Sequence, residues 1–562
     1  MLRSVRWDTT LGRVDPDGRL APLFGSGDPS ETAPEPPGSV VAVRADGTRR
    51  TLAPAGSAAA AVWALAARHG LDPRYPEAAL REVERGLAAP GLDDPALVDR
   101  RALPLVTIDG ASARDLDQAV YVERAGEGWR IDYALADASH YAPPGSALFA
   151  ESLRRGASYY LPDLVIPMLP RAFSEGLVSL NPDVERRAML FRLHLDAEGR
   201  LRDTEVERAL VRSRAKLSFA EAQAFYDGTP GRWDDATIDA SLAALRAVGE
   251  ARMVLAEERD IVRYRRSEVR IGVDDPLGFI TRADLRAPVE RYNEQVSLLC
   301  NVAGARLLAA THADYVEPIF RVHPAPPAER VATFERFLVA LARVHALDPR
   351  RWTWSRSAGT PLASFLEELP ETGDEGRIAA AIHRQAVMLN VRSMFQEDPE
   401  SHHGVGADVY ARFTSPMREV VGIHLHHELF EALAGEGDID PERRDRVVEA
   451  ANAAKMKQKT VENEANALVL EQLFAQTREA DRELSGTLMG LASGKAYIRL
   501  DEPPIDVKAY LRHQARFGGE VTVSDDGAEL RRGTTRVARV GDPVRLRVHG
   551  PEQGRWVLEL ST

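Results

Sequence analysis

Short apolar runs separated by turn residues dominate the first 66 residues of the chain. Residues 40–43 form a run of four apolar side chains, and Asp-Gly dipeptides at 17–18 and 46–47 are typical of tight hairpin turns. Residues 25–38 are rich in Gly, Pro and Ser, which indicates a loop. The pattern predicts a small β-rich N-terminal domain over residues 1–66.

Helical periodicity replaces this pattern between the N-terminal domain and the rest of the chain. Residues 58–68 and 76–86 carry apolar positions at helical spacing, with a break at Gly70. A connector containing Pro and Asp follows at 90–104. We therefore predict a helical connector over residues 67–100.

A long mixed segment, residues 101–480, forms the body of the chain. It opens with apolar runs typical of strands at 118–124 and 129–136. From Ser218 it becomes mainly helical, and Ser218-Phe-Ala-Glu221 matches a capping box at a helix N-terminus. The pattern predicts a mixed α+β domain of large size.

Short strands return in residues 485–562, where Gly and Asp-Gly turns recur at the spacing of a small OB-type barrel. Lys and Arg outnumber Asp and Glu by two here, so this segment has a net charge of +2. Since the whole chain has a net charge of −13, the residues before 485 together carry −15. Such a barrel either tracks a phosphate backbone and stacks bases, or is an ordinary solvated barrel. The candidate RNA-binding residues are Lys495, Tyr497, Arg499, Lys508, Tyr510 and Arg512.

Composition narrows the class of protein. The net charge of −13 over 562 residues argues against a protein that coats nucleic acid with its whole surface. The N-terminus has no apolar leader, and no apolar run approaches the roughly 20 residues of a membrane span. We expect a cytoplasmic protein without membrane contact. Cys300, the only cysteine, lies in an apolar helix and is expected to be a packing residue.

The strongest chemical signal is a cluster of three acids, Asp109, Asp115 and Asp117, beside Gly110. If residues 115–117 are extended, both of their carboxylates point to one face. Close carboxylates repel one another unless a cation neutralises them, and hard oxygen ligands favour Mg²⁺ or Mn²⁺. The alternatives are a solvated acidic turn or a calcium loop without EF-hand spacing.

The sequence does not decide the role of two other groups, several paired histidines and one basic stretch. The pairs at 402–403 and at His424 and His427 have spacings that a zinc site could use, but satisfied helix histidines explain them equally simply. The basic stretch 259–270, which includes Tyr264, either lines a nucleic-acid path or is a solvated face. No Gly-rich nucleotide-binding loop is evident, so no ATP requirement is expected.

Several segments in the expected order resemble the RNase II / RNase R family, whose catalytic module is the RNB domain. The tail at 486–511 is similar to the S1-type RNA-binding barrel that usually ends these enzymes. The first 66 residues resemble the usual tandem cold-shock domains poorly and have room for one small barrel of that kind, or for an irregular β domain. The resembling segments lie at 107–119 (TIDGASARDLDQA), 137–148, 158–182, 293–308, 320–326 and 410–418 (YARFTSPMR).

The resemblance implies a processive, hydrolytic 3′→5′ exoribonuclease that degrades single-stranded RNA to nucleoside 5′-monophosphates with Mg²⁺. It implies that Asp109, Asp115 and Asp117 are three of the four metal-site acids, with Asp117 catalytic as well. Gln118 stands where the family has the fourth acid. Its amide oxygen can coordinate a metal, but it cannot supply the missing charge. We therefore expect a weaker second metal site or a preference for Mn²⁺.

The resemblance also assigns roles to Tyr160 and Arg418. Tyr160 matches the aromatic residue that stacks on a base near the RNA 3′ end, and Arg418 matches the arginine that contacts the scissile phosphate. Without the resemblance, the former reads as a core tyrosine beside Pro162 and the latter as a surface arginine. After Arg418 the chain departs from the family pattern, with Glu419 in place of a basic residue. Further departures are Val420 and Gly422, His426 returns to the pattern, and Glu462 is a candidate late acid.

Taken together, the predicted fold is α+β, with a large RNB-like domain between small β-rich domains. The predicted protein is a monomeric, Mg²⁺-dependent exoribonuclease acting on single-stranded RNA. One alternative is a non-catalytic RNA-binding relative, motivated by Gln118 and by the altered residues after Arg418. The other is a metal-dependent phosphodiesterase with a different substrate.

Overall fold

A computed structural model describes residues 9–28, 32–262, 268–274, 278–284, 286–311 and 315–561. In the described part of the N-terminal region, four antiparallel strands pair in the order β2-β1-β3-β4. The turns between β1 and β2 and between β3 and β4 contain the two predicted Asp-Gly dipeptides. The elements are β1 (Thr10–Val14), β2 (Leu20–Pro22), β3 (Val40–Val43), β4 (Arg49–Ala53), α1 (Ala58–Arg68) and α2 (Glu77–Ala88).

Helix α1 belongs to the N-terminal sheet rather than to the connector. Val62, Trp63 and Leu65 are buried in one apolar core with Leu11 and Val40 of the sheet. The predicted boundary after residue 66 therefore cuts through a helix. We call residues 9–28 and 32–68 the N-terminal module.

Seven strands of the described chain form a central sheet in the order β13-β6-β7-β8-β11-β12-β5. Neighbours are antiparallel, except that β13 pairs with β6, and β12 with β5, in parallel. Two short strands, β9 and β10, form a separate hairpin. The strands are β5 (Val98–Asp99), β6 (Val106–Asp109), β7 (Gln118–Ala125), β8 (Gly128–Ala136), β9 (Tyr159–Leu161), β10 (Leu164–Ile166), β11 (Glu185–Leu195), β12 (Leu201–Arg212) and β13 (Ala215–Ser218).

Helices cover this sheet and build the main core. The predicted capping box is confirmed, because Ser218 and Glu221 each cap the backbone of the other. Cys300 is fully buried among apolar side chains, as predicted. The helices up to this point are α3 (Ala138–Tyr141), α4 (Ala147–Arg155), α5 (Phe219–Tyr226), α6 (Ala236–Glu258) and α7 (Pro288–Ala310), with a π-helical turn at Ala172–Leu177.

Further helices, the hairpin β14–β15 and the strand pair β16–β17 complete the body. The last helix of this part has 39 residues and is about 58 Å long at 1.5 Å per residue. The remaining strands of the body are β14 (Glu268–Asp274), β15 (Gly278–Asp284), β16 (Phe320–Val322) and β17 (Met394–Gln396). The helices are α8 (Ala328–Val344), α9 (Pro349–Trp352), α10 (Leu362–Glu367), α11 (Gly373–Val387), α12 (Val420–Ala434) and α13 (Pro441–Glu479).

The C-terminal barrel is built from a five-stranded and a three-stranded sheet within residues 483–561. It is docked on α11, where the Gln385 amide donates to the Met489 carbonyl at 3.0 Å and Arg377 donates to the Thr487 hydroxyl at 2.7 Å. Its elements are β18 (Glu483–Ala492), β19 (Lys495–Leu500), β20 (Asp506–Tyr510), α14 (Leu511–Gln514), β21 (Thr522–Val523), β22 (Glu529–Arg532), β23 (Thr535–Arg539), β24 (Pro543–Glu552) and β25 (Arg555–Ser561).

The predicted α+β class is confirmed, with a mixed domain between two β-rich ends. Of the basic stretch 259–270, residues 263–267, including Tyr264, lie outside the described residues. Across the described ranges, no helix combines the length and the apolar character needed to cross a membrane.

Candidate active site

The three acids of the sequence cluster lie at one end of the central sheet. Asp109 is the last residue of β6, and Asp115 and Asp117 lie in the extended segment that leads into β7. Between them, Leu116 is 1% exposed and packs in the main core, and its N–H donates to the Ser179 hydroxyl at 3.0 Å. The apolar residue thus anchors the segment, as the alternation predicted.

The buried Asp117 forms an ion pair with the partly exposed Arg418, 301 positions further along the chain. The Arg418 Nε donates to Oδ2 of Asp117 at 2.6 Å, and the Met417 N–H donates to Oδ1 at 3.1 Å. Asp117 is 1% exposed, so water contributes little to its solvation. Both carboxylate oxygens therefore depend on the loop that carries Arg418.

All three acids interact electrostatically with one guanidinium, that of Arg418. Burial raises the pKa of Asp117 to about 6, although Arg418 opposes this shift, and burial also raises the pKa of Asp115. The charge of Asp117, followed by those of Asp115 and Asp109, raises the pKa of Arg418. Arg418 is the cation that offsets the repulsion among the acids.

Gln118 is engaged by Tyr133 of β8 and Ser297 of helix α7. Its Oε1 accepts a hydrogen bond from the Tyr133 hydroxyl at 2.6 Å and lies 3.4 Å from the Ser297 hydroxyl. The two hydroxyls lie 2.7 Å apart. Sequence reasoning singled out neither Tyr133 nor Ser297, although Ser297 lies within the resembling segment 293–308. A metal-ligand role for Gln118 stays a prediction.

The donor set suits a hard divalent cation by its chemistry. Asp109, Asp115 and Asp117 all offer carboxylate oxygens, and burial disfavours the charges of Asp115 and Asp117 by raising their pKa values. Among the side chains that the structure describes, no three His, Cys, Asp or Glu residues are grouped so as to hold a metal ion. Asp117 is paired with Arg418 instead.

Tyr160 stands between this cluster and a large cavity. Its side chain is 56% exposed on β9, lines a cavity of about 1250 Å³, and has its hydroxyl beside the Arg418 guanidinium. Glu462 of α13 lines the same cavity, and its carboxylate accepts from Lys459 at 3.1 Å. Pro504, which precedes β20, also lines it, so the cavity extends from Tyr160 to the barrel.

Glu419, the departure from the family pattern, is compensated locally. The side chain is 7% exposed and lies 3.0 Å from Lys455 and 3.4 Å from Arg412. Burial alone would raise the pKa of Glu419, but these two cations hold it at about 2. The negative charge next to Arg418 is therefore stabilised by its neighbours Arg412 and Lys455.

On the barrel, five of the six predicted residues share one outward face of β19 and β20, which we call the barrel face, and Arg512 follows in α14. Three directly opposed pairs line it, because side chains alternate along each strand: Lys495 with Tyr510, Tyr497 with Lys508, and Arg499 with Asp506.

The two tyrosines of the barrel face differ in their surroundings. Arg384 of α11 covers the Tyr497 ring at 4.4 Å, at the contact between barrel and body. Around the Tyr510 ring, the cationic groups of Lys495, Arg512 and Arg555 lie 5.8, 5.5 and 5.4 Å from the centroid. Arg555 was missed by sequence reasoning because it lies 45 residues from Tyr510 and comes near only through the fold.

The other predicted barrel residues are placed differently. Arg499 Nε donates to the Asp506 carboxylate at 2.8 Å, so its charge is engaged within the strand pair. Lys508 is exposed. The described barrel therefore offers its densest positive charge around Tyr510.

Two of these histidines, His424 and His426, are hydrogen-bonded residues of helix α12, as the simpler interpretation predicted, whereas His402 lies in isolated β-bridges outside the helices. In α12, Nε2 of His424 lies 2.8 Å from the Glu317 carbonyl, and Nε2 of His426 lies 3.0 Å from the Phe413 carbonyl. Burial lowers the pKa of His424 to about 3 and that of His426 to about 4, so both are neutral near pH 7.

Comparison with known proteins agrees with this architecture. The RNB domain family matches residues 98–435, which is more than half of the chain, so the protein belongs to that family. Ribonuclease R of Escherichia coli (strain K12) is 32% identical over 359 residues, covering 60% of this chain and 40% of that protein. The chain spans about two fifths of the length of several curated relatives it matches.

Two solved structures share the fold over the full chain. Mycoplasma genitalium RNase R in complex with ribose-methylated single-stranded RNA has a TM-score of 0.81 and 19% identity, covering 90% of that chain. Yeast Ssd1, described as a pseudonuclease, has a TM-score of 0.63 and 10% identity, covering 84% of that chain. The fold thus occurs in a ribonuclease and in a pseudonuclease.

Proposed function

We propose that this protein is a hydrolytic, processive 3′→5′ exoribonuclease that degrades single-stranded RNA to nucleoside 5′-monophosphates. One observation carries the proposal: Arg418 is hydrogen-bonded to Asp117 beside Asp115 and Asp109, and Tyr160 lies between Arg418 and a cavity of about 1250 Å³. Membership of the RNB domain family supports the same reaction class.

The path of the RNA follows from the surfaces described. Lys495, Arg512 and Arg555 attract backbone phosphates to the barrel face, and Tyr510 stacks on a base there. The strand then enters the cavity and reaches Tyr160 with its 3′ end. A stack on an aromatic ring tolerates every base, which suits an enzyme that must not stop at particular sequences.

At the reacting phosphate, Arg418 supplies the positive charge that the chain itself contributes. Its guanidinium is oriented by Asp117 and donates to phosphate oxygens as charge develops on them. Water attacks phosphorus, the bond to the 3′ oxygen of the preceding nucleotide breaks, and that oxygen takes up a proton.

A divalent cation completes this site in our proposal. Asp109, Asp115 and Asp117 are the residues that would hold Mg²⁺ or Mn²⁺, with Gln118 as a possible neutral contributor. When bound, the ion would lower the pKa of a water molecule and neutralise phosphate charge. The carboxylates themselves hold Arg418 in place and exclude bulk water from the buried end of the site.

The test is a cleavage assay with 5′-labelled single-stranded RNA of about 30 nucleotides, long enough to reach from barrel to cavity. Mg²⁺, Mn²⁺ and EDTA are compared on a denaturing gel, with Asp117→Asn as the control. We expect metal-dependent shortening to a small labelled end product that the control does not give. Tight RNA binding without shortening in either metal would contradict the proposal.

A second candidate function is that of an RNA-binding relative without catalysis. The observation that favours it is Gln118, whose amide oxygen is engaged by Tyr133 and Ser297 at the position of a family acid. Restoring the acid with Gln118→Asp separates the two functions. A variant that cleaves RNA when the natural chain does not would establish the second function, whereas comparable cleavage by both would refute it.

A further inference from the structure

The hairpin that carries Tyr160 is too small to hold its own shape. Strands β9 and β10 have three residues each, and isolated two-stranded hairpins are marginally stable at best in water. Side chains alternate along β9, so Tyr159 and Leu161 are 3% and 5% exposed whereas Tyr160 points outward. The inward face therefore has to be covered by another part of the molecule.

The N-terminal module supplies that cover. Tyr159, Leu161, Leu164 and Ile166 of the hairpin belong to one continuous apolar core with residues of the module and of helix α13. From the module this core contains, among others, Leu11, Val40, Leu52, Val62, Trp63 and Leu65. The opposite face of the same small sheet has a separate core of Val14, Leu20, Ala33 and Val41 that does not include the hairpin.

Polar contacts fasten the module and the hairpin to the same stretch of α13. Glu464 accepts from Arg68 and lies 3.0 Å from the His69 ring nitrogen. One and a half turns earlier, the Gln458 amide donates to the Ser158 carbonyl at 2.8 Å, directly before the hairpin. A movement of the module along α13 would therefore be transmitted to the hairpin.

The hairpin is in turn joined to the catalytic loop. The Ser158 N–H donates to the Arg418 carbonyl at 3.0 Å, and the Tyr160 hydroxyl lies beside the Arg418 guanidinium. A chain of direct contacts thus runs from the core of the N-terminal module through Tyr160 to Arg418. Packing in the module sets the position of the stacking ring.

We propose that the N-terminal module is a positioning domain for Tyr160, which acts by packing under the hairpin and thereby sets the shortest RNA that the enzyme retains. This rests on the proposed function, because Tyr160 matters for product length only if the chain degrades RNA. The residues that act are those of the hairpin-facing core, while those of the opposite core serve the module alone.

Strand β3 offers a matched pair of variants for the test. Val40 and Val41 are adjacent and 1% and 0% exposed, but Val40 lies in the hairpin-facing core and Val41 in the opposite one. Val40→Ala and Val41→Ala remove the same atoms from the same strand. Leu52→Val replaces Val40→Ala if that variant does not fold, since Leu52 lies in the hairpin-facing core too.

Hydrogen exchange of the full-length protein and the length of the final RNA product are measured together. We expect Val40→Ala to speed exchange in residues 156–168 at least about fivefold more than Val41→Ala does. We also expect it to lengthen the final product by about one to three nucleotides, since a displaced ring releases longer RNA. The longer product should be the main effect, and the maximal rate should change little.

The outcomes separate this inference from the proposed function. A natural protein that does not shorten RNA at all would refute the proposed function. Normal shortening by the natural protein, with equal hairpin exchange and equal products in both variants, would overturn this inference alone. Faster exchange with unchanged products would also overturn it, because the module would then support the fold without setting product length.

Discussion

The site around Arg418 and the site around Tyr510 are built in opposite ways. Asp117 is 1% exposed, and its two carboxylate oxygens are both hydrogen-bonded to one loop. Tyr510 is only partly buried, and the cationic groups of three side chains lie 5.4–5.8 Å from the centroid of its neutral ring. At the first site, a few groups are directly bonded to one another, so each depends strongly on its partners. At the second site, several groups contact one ring separately, so each depends little on the others.

This difference follows from solvation. A buried charge that loses its partner keeps its desolvation cost, so removing one member disables the whole group. Exposed cations beside a ring are hydrated and screened by salt, so each adds a small and nearly independent amount to RNA affinity. Catalysis in this protein should therefore fail abruptly on mutation, while RNA capture should decline gradually.

The largest effect is expected from Asp117→Asn. The neutral amide cannot balance Arg418 or contribute charge to a metal site, so turnover should fall by roughly 10⁴-fold. Asp132→Asn is the matched control, because Asp132 is also fully buried in the central sheet and pairs with Arg130 and Arg192. Turnover per folded molecule is measured for both, and equal losses would contradict the site assignment.

Arg418→Lys should lower turnover by about 10²-fold, because lysine keeps the charge but loses the planar donors that match a phosphate. Single-turnover cleavage measures the effect apart from RNA binding. Arg130→Lys is the control at a structural ion pair of the same sheet. A rate within about twofold of the natural protein would remove Arg418 from the reaction.

Tyr510→Ala should weaken binding of single-stranded RNA by about tenfold, since one base stack contributes roughly 1–3 kcal/mol. Turnover at saturating RNA should be unchanged. Tyr497→Ala is the comparison, and we expect a smaller loss because Arg384 already covers that ring. Equal losses in a binding titration would show that the two rings of the barrel face do not differ in function.

Arg555→Ala should have the smallest effect, about a two- to fourfold loss of RNA affinity at moderate salt. The slope of log affinity against log salt should decrease by about 0.7, the value for one phosphate contact on a single strand. Arg547→Ala is the control, because Arg547 pairs with Asp481 at 2.9 Å. An unchanged slope would place Arg555 outside the RNA path.

Much of the local structure could be predicted because it depends on neighbouring residues. The helix at 58–68 and the capping box at Ser218 were predicted at the observed residues. Lys495, Tyr497 and Arg499 were named as candidates from their residue types, and they lie on one face of β19 because side chains alternate along a strand. Such signals lie within a few residues of one another, so periodicity and turn chemistry suffice.

The contacts that give the candidate site its character lie far apart in the chain. Asp117 and Arg418 are 301 positions apart, and no local pattern announces that they meet. The family resemblance implied that both residues take part in the reaction, but it did not indicate that they form an ion pair with each other. Tyr133 and Ser297, which contact Gln118, lie in segments that the sequence analysis identified, but nothing in the sequence indicated that they meet Gln118.

By itself, the sequence determined the acid cluster, the strand alternation and the order of the domains, since these rest on short-range geometry and on residue type. Only the tertiary structure decided that α1 belongs to the N-terminal module and that this module packs beneath Tyr160. It also decided which cations surround Tyr510. Burial and charge pairing depend on which distant segments meet, and the packing of the whole chain selects those segments.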